Sequence, residues 1–261
     1  MNRTIEETLL SKRESGGKSL VVYLTGGLDE YFEATVEEVS ASGADVIEIG
    51  IPFSDPVMDG PTIQRANDVA LSSGATPVNI LDRLKQIEST TPLAVMTYYN
   101  IAASMGVERF ASMLARSGVS GCILPDLPLE EVEPWAEVAD KEKIETILLA
   151  APTAPDERLQ SICQRSRGFI YGVGLLGVTG VRQELASSAI EISARLKKVT
   201  ELPVLVGVGI GTPDQAVEAS RVSDGVVVGS AVVEKMLEGG GPERVGALVR
   251  EFRTALDEAN F

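Results

Sequence analysis

The sequence predicts an α/β fold of the (β/α)8 type: a closed TIM barrel with a short N-terminal helix, occupying residues 1–261 as one domain. Three observations lead there. Eight short apolar runs alternate with helical patterns along the chain, which argues for a parallel sheet, and eight such units at this length argue for closure. The intervals after the second and sixth runs are longer than the rest, as expected of loops on the active face of a barrel. Glycine-rich turns follow the seventh and eighth runs, where barrels often hold a phosphate. A doubly wound open sheet is the fallback, but Gly26-Gly27 is too short a match to its glycine-rich first turn.

The elements follow in order. Thr4 to Arg13 puts Ile5, Leu9 and Leu10 on one helical face, suited to closing the bottom of the fold. Leu20 to Thr25 is the first strand, followed by a helix from Glu30 to Ser42. Val46 to Gly50 is the second strand; the later ones are Leu93 to Tyr98, Gly121 to Pro125, Ile144 to Ala150, Gly168 to Val173, Pro203 to Val208 and Gly225 to Gly229. Between them lie helical patterns at Thr62 to Ser73, Pro77 to Glu88, Val107 to Ser117, Leu129 to Asp140, Asp156 to Arg165, Ser187 to Lys198 and Pro213 to Arg221. A helix, a glycine stop and a strand form the repeating unit: Ser42-Gly43 precedes the second strand, Ser117-Gly118 the fourth and Ser223-Asp224-Gly225 the eighth. No linker or low-complexity segment divides the chain.

Composition removes several function classes. The net charge of −15, from 38 acids against 23 bases, repels phosphate backbones, so no nucleic-acid partner is expected. Histidine is absent, which removes the commonest general base and metal ligand together with any Ser-His or Cys-His pair. Cys122 and Cys163 have no metal-ligand spacing and read as buried thiols. The sequence has no unbroken apolar run long enough to span a membrane, and its N-terminus lacks the apolar middle of a signal peptide; a cytoplasmic protein is expected.

The chemistry centres on Asp45 to Gly60, DVIEIGIPFSDPVMDG. Glu48 interrupts a buried strand, and burying an ionised carboxylate without a partner is costly enough to force its pKa upward. Asp59 follows on a turn-rich loop. Two acids in unlike settings allow one site to hold a proton donor beside an ionised acceptor. Taken alone, the stretch also fits a core acid bonded to Thr, Tyr or backbone groups, with Asp55 and Asp59 as plain turn residues. The other strand ends offer Thr25, Tyr98 with Asn100, Asp126, Ala150, Tyr171, Val208 and Ser230. Without a lysine there, a Schiff-base aldolase is disfavoured; without histidine or a tight carboxylate cluster, so is a metal site. Carboxylates, a phenol and backbone donors suit proton transfer on a phosphorylated substrate that supplies its own electron sink. Val206-Gly207-Val208-Gly209-Ile210-Gly211 and Val228-Gly229-Ser230-Ala231 lead into helix starts, which present N–H groups to an anion; the alternative is that these glycines only permit tight turns.

Glu48-Ile49-Gly50-Ile51-Pro52-Phe53-Ser54-Asp55-Pro56 through Asp59-Gly60-Pro61-Thr62-Ile63-Gln64 resembles the signature of the tryptophan synthase α subunit family. Gly177-Val178-Thr179-Gly180 resembles that family's mobile loop, and Gly209 with Gly229-Ser230 its phosphate site. The resemblance implies retro-aldol cleavage of indole-3-glycerol phosphate to indole and glyceraldehyde 3-phosphate. It makes Glu48 the acid–base group, Asp59 the acceptor of the indole N–H and Tyr171 a neighbour of the reacting carbon. Thr179 becomes the lid residue that packs on the aspartate, while Gly180, Gly209, Gly229 and Ser230 form the phosphate cradle. Tyr98, Asn100 and Asp126 line or support the pocket. The implied partner is a β subunit carrying pyridoxal phosphate, in an αββα assembly, with no cofactor in this chain. Pro52 to Pro56 and a loop from Asn100 to Met105 are the surfaces expected to meet it, although Phe53, Ile101 and Met105 fit a core role equally. Met58, Gly174-Leu175-Leu176 and the turn Gly26-Gly27-Leu28-Asp29 depart from the family pattern. A stand-alone indole-glycerol phosphate lyase and a non-catalytic activator of a partner remain as alternatives.

Overall fold

The computed structural model describes residues 4–87, 89–174, 182–207 and 209–261. Its eight strands are β1 Ser19–Thr25, β2 Val46–Gly50, β3 Leu93–Met96, β4 Val119–Ile123, β5 Glu145–Ala150, β6 Ile170–Gly172, β7 Val204–Val206 and β8 Gly225–Val228. They pair in chain order, all parallel, and β8 closes on β1. The helices are α1 Ile5–Glu14, α2 Phe32–Ala41, α3 Pro61–Ser72, α4 Pro77–Leu84, α5 Tyr99–Met105, α6 Val107–Arg116, α7 Glu133–Glu142, α8 Asp156–Arg165, α9 Arg182–Leu196, α10 Pro213–Ser220, α11 Ser230–Leu237 and α12 Gly241–Glu258.

Register sorts the strand side chains into layers. Tyr23 pairs with Glu48, and Glu48 with Ala94, so these three face one side at one height; Val21 and Val46 lie a layer below. The barrel interior is filled by Val21, Val46, Ala94, Ile123, Ile147, Phe169, Leu205 and Val227, together with Ile5 and Leu9 of α1. That helix therefore plugs the bottom, as its periodicity predicts, although Leu10 is only partly buried. Thr4 and Glu7 form a capping box at its start. Glu145 at the foot of β5 accepts from the N–H groups of Ile5 and Glu6 at 2.8 and 3.0 Å, tying the positive end of the helix to the barrel. Burial pushes the Glu145 carboxyl up to about 7. The second, larger core lies between the strands and the outer helices.

Four differences from the sequence reading have local causes. Asn100 to Met105 is not a loop but helix α5, which ends where Gly106 turns to φ 84. The pattern from Leu129 to Asp140 divides into a 3-10 turn, Leu129–Glu131, and α7, with Pro134 in the first turn of the helix. Helix α12 is an addition to the predicted elements; its apolar face, Val245, Val249, Phe252 and Leu256, is buried. Gly43 and Gly118 do stop helices in the left-handed region, with φ 101 and 75. Gly225 instead opens β8 pressed against Ser19, where a Cβ would overlap the β1 backbone.

Candidate active site

Glu48 stands inside the barrel near the C-terminal end of β2, only 1% exposed. Among the described residues neither carboxyl oxygen has a hydrogen-bond partner. Burial first, and the Asp59 charge second, push its pKa up to about 8. At neutral pH the group therefore holds its proton, which fits a donor rather than a satisfied core acid.

Asp59 occupies the loop from β2 to α3, half-buried. Its carboxylate accepts from Asn67 Nδ2 at 3.4 Å, and its backbone oxygen accepts from Gln64 Nε2 at 2.8 Å. Burial raises its pKa, opposed by hydrogen bonds from Tyr98 and Asn67. The Tyr98 hydroxyl also accepts from Met58 N–H at 2.9 Å, and its ring stacks on Phe53 with centroids 5.0 Å apart. The residue just past β3 thus pins the loop that carries Asp59. Burial raises the phenol of Tyr98 to about 12, so it remains a neutral donor.

Tyr171, inward-facing on β6, has a phenol raised well above its usual range, by burial first and then by the Glu48 charge. Gly209 takes φ 66 after β7, while Gly229 caps α11, whose first residue is Ser230. The N–H groups of Gly209 and Ser230 have no partner among the described residues, whereas that of Gly211 is taken by Gln215 Oε1 at 2.8 Å. The β8 turn adjoins the carboxylate pair through Tyr23, whose Cβ lies 3.6 Å from where a Gly229 Cβ would stand. These two N–H groups at that mouth suit an anion.

Other predicted residues stand further off. Asp126 accepts from Tyr99 N–H at 2.8 Å, supporting the start of α5 beside Tyr98. Asn100 is exposed on α5, its Oδ1 accepting from Ser104 Oγ at 3.5 Å, and has no described contact with Glu48 or Asp59. Thr179 and Gly180 lie outside the described residues. Sequence reasoning missed two groups. Asn67 is buried on α3 and touches Asp59; its signal was a polar residue among the apolar ones of the inner face, Ile63, Ala66 and Ala70. Tyr23 lies two residues inside β1, away from the strand ends where reactive groups are expected. Among the described residues no group of three or more potential ligands could hold a metal, and no helix is long and apolar enough to cross a membrane. Both cysteines are buried and free.

A closed parallel eight-stranded barrel with a buried carboxyl of raised pKa near a second acid fits the class of barrel enzymes that work by acid–base chemistry. The family model for the tryptophan synthase alpha chain matches residues 9–258. The tryptophan synthase alpha chain of Streptomyces avermitilis is 40% identical over 95% of this chain and 92% of its own; that of Methanosarcina mazei is 42% identical over 98% and 95%. Among solved structures, the tryptophan synthase of Mycobacterium tuberculosis superposes with TM-score 0.90 at 36% identity, covering 98% of each chain. The Legionella pneumophila alpha chain gives 0.88 at 34%, covering 100% of this chain and 99% of that one. The chain belongs to the tryptophan synthase alpha chain family, the carbon–carbon lyases that cleave indole-3-glycerol phosphate in tryptophan biosynthesis.

Proposed function

We propose that this one-domain barrel cleaves indole-3-glycerol phosphate with Glu48 as the acid–base group. Glu48 gives its proton to C3 of the indole ring, leaving an iminium-like ring that can accept electrons. The resulting carboxylate takes the proton of the hydroxyl on the adjacent carbon. The bond from C3 to that carbon then breaks, its electron pair restores the aromatic ring, and glyceraldehyde 3-phosphate leaves. Asp59 accepts the indole N–H and stabilises the transient positive charge, with Asn67 and Tyr98 holding it. Tyr171 borders the reacting carbon. Gly180, Gly209, Gly229 and Ser230 take the phosphate, and Thr179 has the role of the lid residue. Because the protonated indole is itself the electron sink, the step needs no pyridoxal phosphate; that cofactor belongs to a β subunit in an αββα assembly. Val57 and Met58, 78% and 41% exposed beside the loop that carries Asp59, favour a partner on this face.

One observation carries the reading: a fully buried carboxyl with neither oxygen bonded among the described residues, its pKa raised to about 8 by burial and by a second acid. Glu48→Gln keeps the shape and loses the proton, so cleavage should fall by at least about a thousandfold while the phosphate still binds; turnover near wild type refutes the role. Steady-state indole release by the chain alone and with a β subunit separates the alternatives. Large stimulation supports the assembly, high unaided turnover a stand-alone lyase, and no turnover in either case a non-catalytic activator.

A further inference from the structure

Two tyrosines repeat one device across the barrel. Tyr23 on β1 pairs in register with Glu48 on β2, and Gly50 is the next inward-facing position above Glu48. Tyr171 on β6 pairs with Leu205 on β7, and Gly207 is the next position above that. A Cβ built at Gly50 would overlap the Tyr23 hydroxyl, and one built at Gly207 the Tyr171 hydroxyl. Each phenol therefore crosses to the neighbouring strand and rests over a glycine, one layer above its register partner. Paired residues on parallel strands share a face, so the Tyr23 hydroxyl is brought onto the strand of Glu48, on the side of the carboxyl. Tyr23 is 7% exposed, which leaves it little freedom to swing away.

We propose that Tyr23 is a positioning residue for Glu48: its hydroxyl, held over Gly50, donates to the Glu48 carboxylate once that group has released its proton. The bond holds the carboxylate facing the substrate hydroxyl whose proton it takes next. Among the described residues the Glu48 carboxyl has no hydrogen bond, so the Tyr23 bond forms when the ionised carboxylate turns toward the hydroxyl over Gly50. Tyr171 comes from the far wall of the barrel, whereas Tyr23 is the strand neighbour of Glu48; the two phenols are not interchangeable. The titratable groups facing Glu48 are Tyr23 from β1, Asp59 from the loop after β2 and Tyr171 from β6, with Tyr98 behind Asp59. Asp59 opposes ionisation of Glu48 by its charge, and a hydroxyl donor favours it. The proposal rests on the assignment of Glu48 as the acid–base group.

The test is the pH profile of indole-3-glycerol phosphate cleavage by Tyr23→Phe, which keeps the ring and removes the donor. A hydrogen bond to a charged group is worth enough to shift a titration by about one pH unit. We expect kcat roughly tenfold lower, KM within about twofold of wild type, and the alkaline limb of kcat moved up by about one pH unit. Gly50→Ala, whose Cβ would meet the ring as well as the hydroxyl and so displace the whole side chain, should move the limb the same way. An alkaline limb in Tyr23→Phe that stays at its wild-type pH overturns the proposal whatever the rate does. Glu48→Gln is assayed in parallel: if it retains turnover, the acid–base assignment fails instead.

Discussion

At Glu48 the cost of burying a carboxyl and the need for a proton donor coincide. Its folded pKa of about 8 lies above the ordinary 4.5, so the folded chain binds the proton more tightly than the unfolded one. The stability this gives is complete below about pH 4.5 and is lost as the pH rises to about 8. Thermal unfolding from pH 5 to about 8.5 should therefore show Glu48→Gln gaining on wild type, by an amount on the order of a few kcal/mol at the upper end; parallel curves would mean that Glu48 is ionised throughout. Asn67 works one step away. Asn67→Ala removes a donor to Asp59 and should lower kcat/KM about fivefold to tenfold, with no change in the alkaline limb set by Glu48; an unchanged kcat/KM would release Asn67 from the site. The Glu48 and Asp59 pair was legible in the sequence because an acid inside a β-branched run is costly to bury and stands out against its neighbours. Tyr23 was not, because an aromatic residue in a strand reads as core until register shows what it crosses.

Among the elements, α1 is held by an unusual anchor. Its apolar face fills the barrel floor, and Glu145 accepts its first two N–H groups, so a half-buried carboxyl meets the positive end of a helix. Glu145→Ala leaves those donors unpaired and should speed amide exchange through α1 by about tenfold or more, while β1 and β2 stay protected. Exchange at the wild-type rate would show that Ile5 and Leu9 suffice. The loop from β2 to α3 has the opposite character: it is pinned by Tyr98 and Asn67 yet exposes Val57 and Met58. Helix α5 reads as a loop in the sequence because it is a short insertion between β3 and α6, ended by a left-handed Gly106 that sequence alone also allows in a turn.

For the whole molecule, charge and topology set the behaviour. A net charge of −15 repels itself in the compact state, so raising the salt from about 0.01 M to about 0.15 M should raise the melting temperature by a few degrees; a fall would mean that ion pairs outweigh the repulsion. The barrel was legible because strict alternation of strand and helix admits few closed arrangements. The last helix was less so, since α12 follows α11 with no strand between them to announce it. The central claim is that Glu48 is protonated at neutral pH at the barrel mouth. Carboxyl-selective 13C NMR of glutamate-labelled protein, wild type against Glu48→Gln, tests it most directly. The account predicts one resonance, absent from the variant, that titrates near pH 8; a Glu48 resonance already ionised at pH 6 would contradict it.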